Sequence, residues 1–127
     1  MKTKNTTPLE RHEQIAFVQY LEALQKRGYD IIFSATAQST YTTSIKQKVT
    51  NKAMGVRKGL PDLFIIIEDV PLFIEMKRRK GGVVSLEQRM WHEKINGAGI
   101  RCYTCYGSDD AMQTLDPIIK QSRFGFH

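Results

Sequence analysis

At 127 residues the chain is expected to form one domain, since domains run to roughly 100–200 residues, with no room for a second. Its 41% hydrophobic and 25% charged residues match an ordinary globular protein and rule out a disordered or fibrous one. Nineteen Lys and Arg against thirteen Asp and Glu leave a net charge of +6, a bias toward polyanionic partners.

The longest apolar run, Leu63 to Ile67, falls far short of the ~20 residues that span a bilayer. The polar start Met1 to Thr7 has no apolar stretch behind it, so neither a membrane anchor nor a secretory leader is expected. Two cysteines make no disulfide framework, and a reduced, intracellular protein is expected. The whole chain, 1–127, reads as a single domain with its core at about 8–121.

Leu9 to about Arg27 reads as a helix, with Thr7 as N-cap, Pro8 just inside and Gly28 as its stop. Its inner stripe is Phe17, Tyr20, Leu21 and Leu24. Stepping back four residues from Phe17 places Glu13 in line with the buried face. Asp30 to Ala35 reads as a strand. From 36 to 59 the periodicity is lost, and an unstructured connection of this length is generally functional or mobile. This loop carries Lys46, Lys48, Lys52, Arg57 and Lys58 with no acidic residue, and Lys77-Arg78-Arg79-Lys80 follows. Solvation explains one such cluster. Two clusters flanking one short segment point to phosphates, whose counterions basic side chains release on binding.

Leu63 to Ile67 and Leu72 to Lys77 read as a hairpin joined by Glu68 to Pro71. Their unbroken apolarity puts them at the sheet centre. Ser85 and Gln88 fit a capping box opening a helix to about Asn96, with Trp91 and Ile95 on Gln88's face, toward the sheet. Ile100 to Tyr106 reads as a strand, and Asp109 to about Gln121 as a last helix capped by Ser108 or Asp109. The class is α/β and the order αβββαβα.

The hairpin carries charge where a buried strand should not. Glu75 and Lys77, two apart, share a face. With Glu68 to Pro71 as the loop, Asp62 falls opposite Lys77 and Glu75 lies diagonal to it, within about 7–8 Å. A slip of one residue would send Asp62 to the other face. Two half-buried carboxylates repel unless one takes a proton or a cation neutralises both. Mg²⁺ commonly binds through one or two carboxylates plus substrate phosphate. Lys77 beside it would orient and help deprotonate a water, or stabilise charge on pentacovalent phosphorus. The chemistry is metal-assisted phosphodiester hydrolysis. The plainer alternative is a buried Asp–Lys–Glu salt-bridge network.

Other candidates are weaker. Cys102 and Cys105 lie three apart on a strand and point to opposite faces, which suits core packing better than chelation. His12, His92 and His127 have no ligand spacing, and His92 is expected at the surface or an interface. No phosphate-binding P-loop is present.

Gly59-Leu60-Pro61-Asp62, Glu75-Met76-Lys77, Ser85 to Gln88 and Trp91 together resemble the VRR-NUC family. That family belongs to the restriction-endonuclease-like superfamily with the PD-(D/E)xK site, and the resemblance runs from Glu13 to about Leu115. It implies a core with a central mixed sheet flanked by helices. It also implies Asp62 and Glu75 as ligands of Mg²⁺ or Mn²⁺, the Met76 carbonyl as a third, and no organic cofactor. Lys77 would be the catalytic lysine. Glu13 would be the helix-one acid and a further candidate ligand, and Gln88 would reach the site from the following helix. As N3 of the capping box, Gln88 has a purely structural reading as well. Lys46, Lys48, Lys52, Arg57, Lys58, Arg78, Arg79 and Lys80 would hold the DNA backbone, reading shape and not bases.

Members of this size resemble stand-alone phage and bacterial nucleases that act as homodimers on branched DNA, including four-way (Holliday) junctions. A cytoplasmic setting in a bacterial or phage-infected cell is implied. The Val-Arg-Arg tripeptide behind the family name does not occur here. The residues themselves leave open a non-catalytic DNA- or RNA-binding module, and a nuclease acting on flaps, linear ends or RNA.

Overall fold

The computed structural model describes residues 9–36 and 44–125. In chain order the elements are α1 (Glu10–Lys26), β1 (Ile31–Ala35), α2 (Ile45–Ala53), β2 (Leu63–Ile67), β3 (Val70–Lys77), α3 (Leu86–Gly97), β4 (Arg101–Tyr106) and α4 (Ser108–Gly125). The sheet runs β1-β2-β3-β4. Its first three strands are antiparallel, and β3 and β4 are parallel, joined by the α3 crossover. Among the described residues no helix is long and apolar enough to cross a membrane.

Strand alternation sorts the two faces of this sheet. Leu63, Ile65 and Ile67 of β2 and Leu72, Ile74 and Met76 of β3 are buried together. They meet Phe17, Leu21 and Leu24 of α1 and Ala111, Leu115, Ile118 and Ile119 of α4 in one core cluster. Burying each large aliphatic side chain is worth about 1.5–3 kcal/mol, so this layer holds the domain together. The other face presents Phe64 and Phe73, whose rings lie 5.0 Å apart, and beside them Asp62, Glu75 and Lys77. Helix α3 lies on that face, with Ile95 buried. The site is therefore built on the side of the sheet away from the main core.

Three features depart from the sequence reading. The hairpin turn is two residues, Glu68 and Asp69, both at positive φ (47° and 78°), and Ile67 pairs with Val70. Two left-handed residues match the twist of the flanking strands, which is why such tight turns are favoured. Pro71 therefore lies in β3 and not in the loop. Met76, five residues on, donates its N–H toward β2, so Pro71 presents its nitrogen to the opposite side. There β4 pairing begins only at Leu72, and no ladder bond is lost. The register moves by two. Leu63 pairs with Ile74, which carries Asp62 to a position opposite Glu75, not opposite Lys77.

The second departure is α2, a helix inside the stretch read as structureless, which makes the order αβαββαβα. None of its residues is buried, so the few apolar residues it carries meet no core. The third concerns the start of α1. Leu9 stands at its N-cap without a side-chain cap bond, while the expected Thr7 cap lies outside the described residues.

Candidate active site

Asp62 enters the site on a turn fastened from two sides. Thr36, at the end of β1, donates its hydroxyl to the Pro61 carbonyl at 2.8 Å and its N–H to the Asp62 carbonyl at 2.9 Å. Gly59, at φ +91°, lies so close to α3 that a Cβ there would meet Glu87 Cβ at 2.7 Å. Trp91 Nε1 donates to the Lys58 carbonyl at 3.0 Å. These contacts lock the Gly59-Leu60-Pro61 turn between β1 and α3. Asp62 then accepts the Met76 N–H at 2.8 Å through Oδ2. In a strand the N–H and C=O of one residue point to the same side, so the Met76 carbonyl is also directed to Asp62's side.

Glu75 and Lys77 follow from β3, both buried. Lys77 Nζ lies 3.5 Å from Glu75 Oε2 and donates to Gln88 Oε1 at 3.0 Å. Gln88 Nε2 donates to Glu75 Oε2 at 2.7 Å. The same Gln88 completes the capping box, with Oε1 accepting from the Ser85 N–H at 2.9 Å and its own N–H donating to Ser85 Oγ at 3.1 Å. One side chain thus does both tasks, because the box fixes its amide where β3 presents the acid and the lysine. Gly82 closes the floor, and a Cβ there would stand 2.9 Å from Lys77 Cβ.

The electrostatics of this cluster are unbalanced. Burial, and then the charge of Asp62, push the Glu75 carboxyl up to about 8 against the opposing pull of Lys77. Burial also raises Asp62, opposed by the Met76 N–H. The two carboxyls lie close enough to share a proton. Glu75 Oε1 is buried and accepts no hydrogen bond from the described residues. Two acids with one cation between them call for a second positive charge. Among the described residues no three His, Cys, Asp or Glu side chains gather into a metal site. An ion here would rest on two carboxylates and a main-chain oxygen, the sparse protein ligation that Mg²⁺ accepts.

Glu13 is not brought to this cluster. Its Oε1 accepts the Ser108 N–H at 2.8 Å, at the start of α4, and its Oε2 lies 3.3 Å from Arg79 Nε. The reason is the face it occupies: α1 packs on the core side of the sheet, so its buried stripe meets α4. The α1 carboxylate that shares a cleft with Asp62 is Glu10, one turn earlier, together with Gln14 and Thr36. Sequence reasoning missed Glu10. The Glu10 and Gln14 pair, four apart and beside the buried stripe, was the available signal.

His92 was also misread. It faces the sheet, with Nδ1 and Thr104 Oγ1 hydrogen-bonded at 3.3 Å. Burial and then the Lys77 charge lower its pKa, against the opposing pull of Asp62. Cys102 and Cys105 are free and buried, as expected of core residues.

The basic residues divide into two groups. Lys46, Lys48 and Lys52 stand exposed on α2, while Arg57 Nη1 donates to the Lys52 carbonyl and Lys58 lies 3.8 Å from Glu87. Arg78 lines a second cleft with Glu10 and Arg11, and Lys80 is exposed. Arg79 is engaged with Glu13 and, at 3.4 Å, Asp109, with half of its side chain exposed.

Asp62 just before β2, with Glu75 and Lys77 on β3 under a helix that steadies two of them, form a candidate site of the nuclease type. The chain belongs to the VRR-NUC family: the VRR-NUC domain model matches residues 4–109. A solved structure described as a VRR_NUC domain protein has the same fold, with a TM-score of 0.65, 20% identity and 91% of each chain covered. No curated protein matches the chain.

Proposed function

We propose that this chain is a divalent-metal-dependent endonuclease that hydrolyses DNA phosphodiester bonds at branch points, four-way junctions among them. The observation that carries the reading is Glu75, buried against Asp62 with an unpaired oxygen and a carboxyl pushed up to about 8. Asp62, Glu75 and the Met76 carbonyl would hold Mg²⁺ or Mn²⁺. That ion, when bound, supplies Lewis-acid polarisation of the scissile phosphate.

Lys77 Nζ, steadied by Gln88 and Glu75, orients the attacking water and balances the charge that grows on phosphorus. Gln88 is a positioning residue, since it bonds both the acid and the lysine. Glu10, which lines a cleft with Asp62, would serve as the helix-one acid. Lys46, Lys48, Lys52, Arg57, Lys58, Arg78 and Lys80 hold the backbone by phosphate contacts. A two-fold homodimer would present two such sites, which suits paired nicks across a junction.

The test is cleavage of labelled four-way junction, flap, single-stranded and linear duplex DNA with Mg²⁺, Mn²⁺ or EDTA, with Glu75→Ala as control. Symmetric metal-dependent nicks near the branch, absent in the variant, are the expected result. Cleavage confined to flaps or linear ends would overturn the junction assignment. Salt-sensitive binding in both proteins with no cleavage would leave a binding module.

A further inference from the structure

Helix α2 is stabilised by its own ends and not by packing. Ser44 Oγ accepts the Gln47 N–H at 3.2 Å, and the Gly55 and Val56 N–H groups close on the Lys52 and Asn51 carbonyls. Gln47 and Asn51 bond each other at 2.7 Å along one side. At 3.6 residues per turn, Ile45, Val49 and Ala53 form a single stripe on the side away from that pair. Lys48 and Lys52 run along one border of the stripe, and Lys46 stands on the other. Ile45 is 78% exposed and Val49 64%, so no described residue covers the stripe.

We propose that α2 lies in the major groove of duplex DNA, its Ile45–Val49–Ala53 stripe inward and its lysines on the phosphates of the two rims. This rests on the nuclease reading and deepens it. Charge complementarity selects the occupant: the helix carries three lysines and no acid, so two copies of it repel each other while a polyanion attracts it. Size agrees, since a helix of about 10–12 Å diameter matches a groove about 12 Å wide.

The test uses the full chain in EDTA with a labelled A·T-rich junction, titrated between about 50 and 200 mM salt. Ile45→Ala/Val49→Ala is compared with Lys48→Ala/Lys52→Ala. Alanine favours helix more than either residue it replaces, so weakening cannot come from melting α2. The apolar pair is expected to bind about fivefold to tenfold more weakly at every salt concentration, with the salt slope unchanged. The lysine pair lowers the slope by about 2. Uracil in place of thymine strips methyl groups from the major groove, and weakens binding by wild type but not by the apolar variant.

Wild-type affinity in the apolar variant, or indifference to uracil, overturns the groove. So does a change from dimer to monomer in that variant, which would assign the stripe to a second copy. Binding of wild type to phosphatidylserine vesicles but not to DNA would assign it to a membrane surface. If the stripe effect holds and no metal supports cleavage, the nuclease reading fails and the groove assignment survives.

Discussion

Glu13 and Glu75 are both buried carboxylates, 3% and 1% exposed, and both have a cation within about 3.5 Å, yet their surroundings differ. Glu13 spends its charge on the chain itself. It accepts the first N–H of α4, where the helix dipole favours an anion, and faces an arginine that also reaches Asp109. Each acid leaves one buried oxygen without a hydrogen bond, but Glu75 shares its one lysine with a second acid and is pushed up to about 8. A buried acid with its charge answered is architecture. A buried acid whose charge is left over marks a place where something else binds.

The largest effect that would break this contrast is on turnover. Glu75→Ala or Lys77→Met is expected to lower single-turnover cleavage by about 10³-fold or more, with DNA binding changed only a few-fold. Full activity in either variant contradicts the site. Glu13→Ala should act on the other side of the comparison. It orphans the Ser108 N–H and leaves Arg79 with Asp109 alone, so urea unfolding should show a loss of about 1–3 kcal/mol. Cleavage per folded molecule should stay within a few-fold, and a loss matching that of Glu75→Ala would erase the distinction.

The pH dependence of stability sharpens it further. The folded-state pKa of Glu75, about 8, lies above its ordinary 4.5. Its contribution is therefore fully present below pH 4.5 and is lost as pH rises through about 8. The metal-free protein should melt at progressively lower temperature across that interval, and Glu75→Gln should flatten the trend. The smallest effect concerns the thiols. Burial pushes Cys102 up to about 12 and Cys105 up to about 11, so thiol reagents should label them only on unfolding.

Much of the site was legible because charge inside apolar strands has few explanations. Asp62, Glu75 and Lys77 stood out for that reason, and Ser85 and Gln88 by their capping-box spacing. The hairpin register was not legible, because Pro71 looks like a turn residue and only the direction of its nitrogen lets it enter β3. Helix α2 hid because all of it faces outward, so its period of apolar residues never meets a core. Glu13 misled for the opposite reason. A carboxylate in line with a buried stripe signals burial, but not which partner lies across from it, and here that partner is α4. Glu10, exposed at the start of the same helix, carried no such mark.

The most direct test of the central claim is the binding of Mn²⁺ to the metal-free protein by calorimetry, for wild type, Glu75→Ala and Glu13→Ala. The account expects wild type and Glu13→Ala to bind the ion alike and Glu75→Ala to lose it. Undiminished binding by Glu75→Ala, or an equal loss in Glu13→Ala, would contradict it.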